Sequence, residues 1–230
     1  MTDTYSGLLF PPDFPDAIVV PAHPSNVLWG PTRPYNEPKV LVVHSPEEPV
    51  DEIESTPAYF AQANRSASTH AYADSDGDLY QMVPVKYGAI ANGVVGRPYP
   101  ASTNPAISLN YQSESIEVEG YAAGMHRTCP PDSRQWATVR NWIVQRALVR
   151  RIAIDRAHVI GHYEVSNNRT DPGTLSLDGL VADAQRVLQA FTQASQAALA
   201  TVRIRAALEA AWRNGYWQLL HDQLEYIGFR

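Results

Sequence analysis

One cysteine, Cys129, is all that this chain of 230 residues contains, so no intrachain disulfide can form. A secreted disulfide framework is thereby excluded. Charge is also scarce, at 18% of residues with a net of −6. The clustered Lys and Arg of a nucleic-acid footprint are missing, so no nucleic-acid partner is expected. No apolar run reaches the ~18 residues a spanning helix requires, and no membrane insertion is expected. The start, Met1 to Pro15, lacks a charged segment followed by an apolar one, which reads as cytoplasmic synthesis without a signal peptide. Internal repeats are absent. What is present is 44% apolar content, enough for the core of one domain with a modest appendage.

Residues 1–38 carry Pro11, Pro12, Pro15, Pro21, Pro24, Pro31, Pro34 and Pro38, a density that prevents helix and central-strand pairing. This stretch is expected as an extended arm, with one short edge strand at Asp16 to Val20. Residues 39–178 read as an α/β catalytic domain. A strand ending at His44 leads to Thr56-Pro57, a helix-opening pair. Thr69–Ala73 and Leu79–Val83 flank Asp74-Ser75-Asp76-Gly77 as a hairpin. A long segment rich in Gly, Pro and Asn, residues 86–112, is the kind of loop that is more often functional than idle. Ser115 to Glu119 alternates as a strand, and Asp132 or Ser133 caps a helix to about Arg151. Ala157 to Gly161 is a short strand delivering His162. Residues 179–230 form a helical C-terminal extension, expected as a hairpin or trio broken at Asn214-Gly215. Binding cell wall, self-association through these helices and covering the sheet all fit, and its charge-poor apolar stripe favours packing.

Three residues carry the chemistry. His44 and His162 close apolar runs, and Asp171 sits on a Pro-Gly turn nine positions after His162. Two imidazoles and a carboxylate are three candidate ligands for one Zn2+ ion, the number a catalytic zinc takes while keeping a fourth position for water. Strand ends lie at the sheet rim, where ligands of α/β folds bind. His158 stands four residues before His162 but on a strand, roughly 13 Å away at ~3.3 Å per residue, and reads as structural. Glu117 faces away from Ile116 and Val118, and Glu119 shares its face. A carboxylate there can take a proton from water and return it to a leaving amine. Arg169, two residues before Asp171, can stabilise a developing oxyanion or hold a substrate carboxylate.

In order along the chain, these pieces resemble the zinc-dependent N-acetylmuramoyl-L-alanine amidases, the family of the peptidoglycan recognition proteins and many phage lysins. The matching runs are Val42-Val43-His44-Ser45-Pro46-Glu47, Ser68-Thr69-His70 with Asp76-Gly77 and Tyr80 to Pro84, Ser113 to Gly120, and Ile160-Gly161-His162 through Thr170-Asp171-Pro172-Gly173. The resemblance implies a mixed central β-sheet flanked by helices, with His44, His162 and Asp171 as zinc ligands in a groove. It implies Glu117 as general base and acid, and Arg169 where the family often has lysine. Thr69 stands where some phage members have tyrosine, and Ala89-Ile90-Ala91-Asn92-Gly93 where the family has Ala-Trp-His-x-Gly. Thr69, His70 and Asn92 are accordingly expected on the substrate-binding wall.

The implied activity is hydrolysis of the amide between N-acetylmuramic acid and the L-alanine of the stem peptide. The partner is then peptidoglycan, glycan strand and stem peptide together, and the enzyme acts on the cell wall. A phage endolysin, antimicrobial towards its host, is the reading favoured by the added arm and tail. A cytosolic enzyme recycling muropeptides, a peptidoglycan-binding module without catalysis, and a structural component stand beside it.

Overall fold

The computed structural model describes residues 12–28, 38–50 and 55–213. In chain order the elements are β1 (Ile18–Val19), a 3-10 turn at Pro24–Asn26, β2 (Val27–Leu28), β3 (Val40–His44) and α1 (Ser55–Phe60). There follow β4 (Ala71–Ala73), β5 (Leu79–Gln81), β6 (Gly88–Ala89), α2 (Leu109–Gln112), β7 (Ser113–Val118) and α3 (Met125–Thr128). The last are α4 (Arg134–Arg150), β8 (Val159–Gly161), a 3-10 turn at His162–Glu164, and α5 (Leu177–Arg213). Six strands make one mixed sheet in the order β1-β5-β4-β7-β3-β8, and β2 pairs with β6 in a separate antiparallel ribbon. A compact unit closes at Gln185 and a second begins at Arg186. No helix among the described residues is long and apolar enough to cross a membrane.

The described part of the proline-rich stretch is built into this unit. Its β1 pairs in parallel with β5 at the sheet edge, and Phe14 is fully buried with its ring edge against Trp142. The hairpin forms as read: β4 and β5 are antiparallel around Gly77, whose φ of 93° suits glycine. A Cβ there would also meet the Arg134 Cβ at 2.6 Å.

Both faces of the sheet are covered, which is why β3 and β7 are buried at every position. Helix α4 packs on β4 and β7. It starts where Ser133 Oγ accepts from Trp136 N at 3.1 Å and ends at Arg151 in the left-handed conformation. Its Trp136, Val139, Ile143 and Ala147 form the buried stripe expected from their spacing. On the other face, Tyr72, Phe60, Met82 and Ala89 form one apolar cluster, and Val40, Val42, Leu109 and Ile160 another.

Of the expected hairpin or trio, the described part of the C-terminal extension is one helix. Helix α5 runs unbroken over 37 residues, because no Gly or Pro occurs between Gly179 and Asn214 and alanine dominates the interval. Leu180 and Ala184 are buried in the first unit, and Trp136 Nε1 donates to Asp183 Oδ2 at 3.0 Å. Beyond Arg186, Phe191, Leu199, Val202 and Ile204 are exposed. The Asn214-Gly215 break and the segment after it lie outside the described residues.

Candidate metal centre and active site

Three adjacent parallel strands deliver the site. Strand β3 lies between β7 and β8, with His44 opposite Glu117 and Val43 opposite Gly161. One residue beyond that last pair comes His162, so both imidazoles and Glu117 emerge at the same carboxyl edge of the sheet. The strand end before His162 is fixed by Glu164, whose Oε2 accepts from Gly161 N at 2.7 Å and from Arg156.

Asp171 reaches this edge on a tight turn. Gly173 has φ 57°, donates to Thr170 O, and lies so close to Ala122 that a Cβ would overlap its carbonyl. Only glycine fits there. Thr174 N donates to the same Ala122 O at 2.9 Å, docking the turn.

The three candidate ligands converge. His162 Nδ1 lies 3.1 Å and His44 Nδ1 3.4 Å from Asp171 Oδ2, and the two rings are 4.4 Å apart. One ligand atom from each residue falls within 4.8 Å of the others. Bonds of ~2.0–2.1 Å at tetrahedral angles separate ligand atoms by about 3.3 Å, so this donor set fits a zinc ion. All three are buried. Burial pushes the His44 imidazole down to about 4, which keeps it neutral and able to ligate at pH 7. Burial alone would raise the Asp171 carboxyl, but hydrogen bonds from His162 and His44 hold it below its ordinary range.

Glu117 stands beside His44 with Oε2 buried and unpartnered among the described residues. Burial first, then the charges of Asp171 and Glu48, push its carboxyl well above the usual range. These residues floor a groove of about 550 Å³ that Arg169, Glu47 and Glu48 also line, together with Tyr59, Phe60, Ser68, Ile90 and Ala91. Buried Tyr72 donates to Glu48 Oε1 at 3.0 Å and holds that carboxylate on the wall. The groove offers two imidazoles, a carboxylate and a guanidinium around one point, a set suited to metal-assisted hydrolysis.

A family model described as N-acetylmuramoyl-L-alanine amidase matches residues 34–174. The chain belongs to the N-acetylmuramoyl-L-alanine amidase family. No match is found among curated protein sequences. Among solved structures, an AmpD derivative shares 22% identity over 74% of this chain and 95% of its own, with a TM-score of 0.55. The catalytic domain of XlyA shares 19% over 73% and 98%, with a TM-score of 0.54. The endolysin amidase LysCS from Clostridium intestinale shares 15% over 74% and 96%, with a TM-score of 0.53. At such identities the likeness is one of fold, and the amidase fold is what the sheet order and flanking helices display.

Within this amidase domain, the residues singled out from sequence separate into two groups. His44, His162, Asp171, Glu117 and Arg169 meet at the groove. Thr69, His70 and Asn92 do not line it. Thr69 and His70 are fully buried, and His70 bonds Ser115 and the Tyr87 carbonyl. Asn92 is 1% exposed, with its amide bonded to Asn110 and Ser113. Expectation placed all three on the substrate wall; the loop instead turns them into the interior. Glu119 likewise leaves the groove, accepting from Ser75 N in the hairpin turn. His158 bonds Asp155, the structural place foreseen for it. Sequence reasoning passed over Glu47, Glu48, Tyr59, Phe60 and Ile90 as lining residues. The nearness of Glu47-Glu48 to His44 was the available signal.

Proposed function

We propose that the chain is a zinc-dependent amidase that hydrolyses the bond between the lactyl group of N-acetylmuramic acid and the L-alanine of the stem peptide. The convergence of His44, His162 and Asp171 beside an unpartnered Glu117 oxygen is the observation that carries this reading. His44, His162 and Asp171 hold the metal. When bound, zinc lowers the pKa of water toward ~7 and polarises the scissile carbonyl. Glu117 accepts the proton of the attacking water and hands it to the departing alanine nitrogen. Arg169 steadies the carbonyl oxygen as negative charge develops. Tyr59, Phe60 and Ile90 offer apolar wall to the lactyl and alanine methyl groups, while Glu47 and Glu48 face the polar remainder.

Its setting in this reading is the intact wall, as a bacteriophage endolysin. Support comes from α5, which continues well past the residues matched by the family model. Purified protein is expected to hold one zinc per chain and to release L-alanine amino groups from intact sacculi, with a chelator abolishing release. Faster turnover of small soluble muropeptides than of sacculi would replace the lytic role by a recycling one. A protein without zinc, or one that binds sacculi without releasing amines, would overturn the reading.

A further inference from the structure

The two histidines of the metal centre differ at the ring nitrogen turned away from Asp171. His44 Nε2 is buried with no partner among the described residues. His162 Nε2 lies 3.3 Å from the carbonyl oxygen of Asn92. Carbonyl and carboxylate both only accept, and His162 Nδ1 lies 3.1 Å from Asp171 Oδ2, so a metal that takes the Nδ1 lone pair leaves the proton on Nε2, facing the Asn92 carbonyl.

That carbonyl does not stand on a free loop. Asn110 Oδ1 accepts from Asn92 N at 2.8 Å, from Asn92 Nδ2 at 3.0 Å and from Ala91 N at 3.3 Å. Asn92 Nδ2 also donates to Ser113 Oγ at 2.9 Å, and Ser113 donates to Leu109 O at 2.8 Å. Two residues before Asn92, Ile90 N donates to Ser68 Oγ and Ser68 N to Ile90 O, at 3.0 and 3.1 Å. Asn92, Asn110 and Ser113 are all buried. A single side-chain oxygen collecting three donors from two consecutive residues is a clamp on the backbone that carries the Asn92 carbonyl. Asn110 itself, on α2, neither lines the groove nor belongs to the candidate ligand set.

The geometry points to Asn110 as a positioning residue that, through the Asn92 carbonyl, orients the His162 ring and aims its Nδ1 at the metal. The inference rests on the zinc reading above. Partners of this kind behind a ligating histidine tune metal affinity by about 10–100-fold.

Long-range proton–nitrogen spectra of the zinc-loaded protein report which nitrogen of each buried histidine carries the proton. Wild type is expected to show His162 as Nε2–H. Asn110→Ala is expected to show mixed forms and to weaken zinc by about 10–100-fold in competition with a chromogenic chelator. Asn110→Asp keeps an acceptor oxygen and should recover the tautomer and most of the affinity. His70, which accepts from Ser115 N and faces the Tyr87 carbonyl, reports the fold in the same spectra. An intact His70 signal with unchanged His162 form and unchanged zinc affinity overturns the proposal. Should Asn110→Ala lose the His70 signal, Asn92→Ala decides. It removes two ties, to Asn110 and Ser113, and an unpartnered oxygen while keeping the carbonyl, and a milder shift of both readouts is expected; no shift overturns the proposal. A wild type that takes no zinc overturns the zinc reading and this proposal with it, whereas zinc held with an affinity that does not depend on Asn110 overturns this proposal alone.

Discussion

Two glutamates three residues apart on β7 are both buried and stand in opposite conditions. Glu114 points toward α4, where Arg146 Nη2 donates to Oε1 at 3.0 Å, Arg146 Nε to Oε2, and Arg150 Nε to Oε1 at 2.7 Å. Glu117 points to the groove with Oε2 unpartnered. Burial acts on both. At Glu114 it is overcome by the hydrogen bonds and charge of Arg146, and the carboxyl is held below its ordinary range. At Glu117 burial is reinforced by Asp171 and Glu48, and the carboxyl is pushed up. A charge out of water needs partners. Where every oxygen is matched the carboxylate is a strut; where one is left open beside candidate ligands it is available to move a proton.

Breaking the open member should cost the most activity and the least fold. Glu117→Ala is expected to retain zinc and to lose at least ~10³-fold in kcat/KM on sacculi, about 4 kcal/mol of transition-state stabilisation. Zinc content with amine release checks both halves, and a tenth of wild-type activity would remove Glu117 from proton transfer. Breaking the saturated member should do the reverse. Glu114→Ala leaves Arg146, 2% exposed, as an uncompensated buried charge, and urea unfolding is expected to show a loss of about 3–5 kcal/mol. A loss under about 1 kcal/mol would mean the pair carries little of the fold.

Arg169 sharpens the contrast from the exposed side. Unlike Arg146 it is open to solvent and lines the groove. Arg169→Ala should therefore leave unfolding unchanged and lower kcat by about 10²-fold, the size of a lost oxyanion donor. Arg169→Lys keeps the charge without the planar fork and should fall between. Equal kcat in all three proteins would confine Arg169 to the surface.

The same comparison explains what could be read in advance. His44, Glu117 and His162 were legible because each ends or occupies a short apolar strand, and parallel pairing of β7, β3 and β8 forces such ends together. Asp171 was legible from Pro-Gly turn chemistry. Thr69, His70 and Asn92 were misplaced because a loop's periodicity does not say which way it turns; only bonds to Ser115, Tyr87 and Asn110 do. The Glu114–Arg146 pair spans 32 positions, and no local pattern announces it. A trio would need a further break before Asn214, and no glycine or proline between Gly179 and Asn214 supplies one.

The smallest effect is a difference in slope with pH, measured on metal-free protein. Glu114 has a lowered folded value, so its stabilisation is present above its unfolded value near 4.5 and is lost as pH falls through the folded value. The deficit of Glu114→Gln relative to wild type should therefore be full at pH 7 and shrink on acidification below about 4.5. Glu117 has a raised folded value, so wild type binds the extra proton in the folded state and loses stability as pH rises above the unfolded value near 4.5. Glu117→Gln lacks that loss and should be the more stable protein at pH 7, with its advantage vanishing toward pH 4. Urea midpoints across that range check both slopes. Parallel slopes for the two variants would mean that the two carboxylates share one environment, and the division between strut and proton carrier would fail.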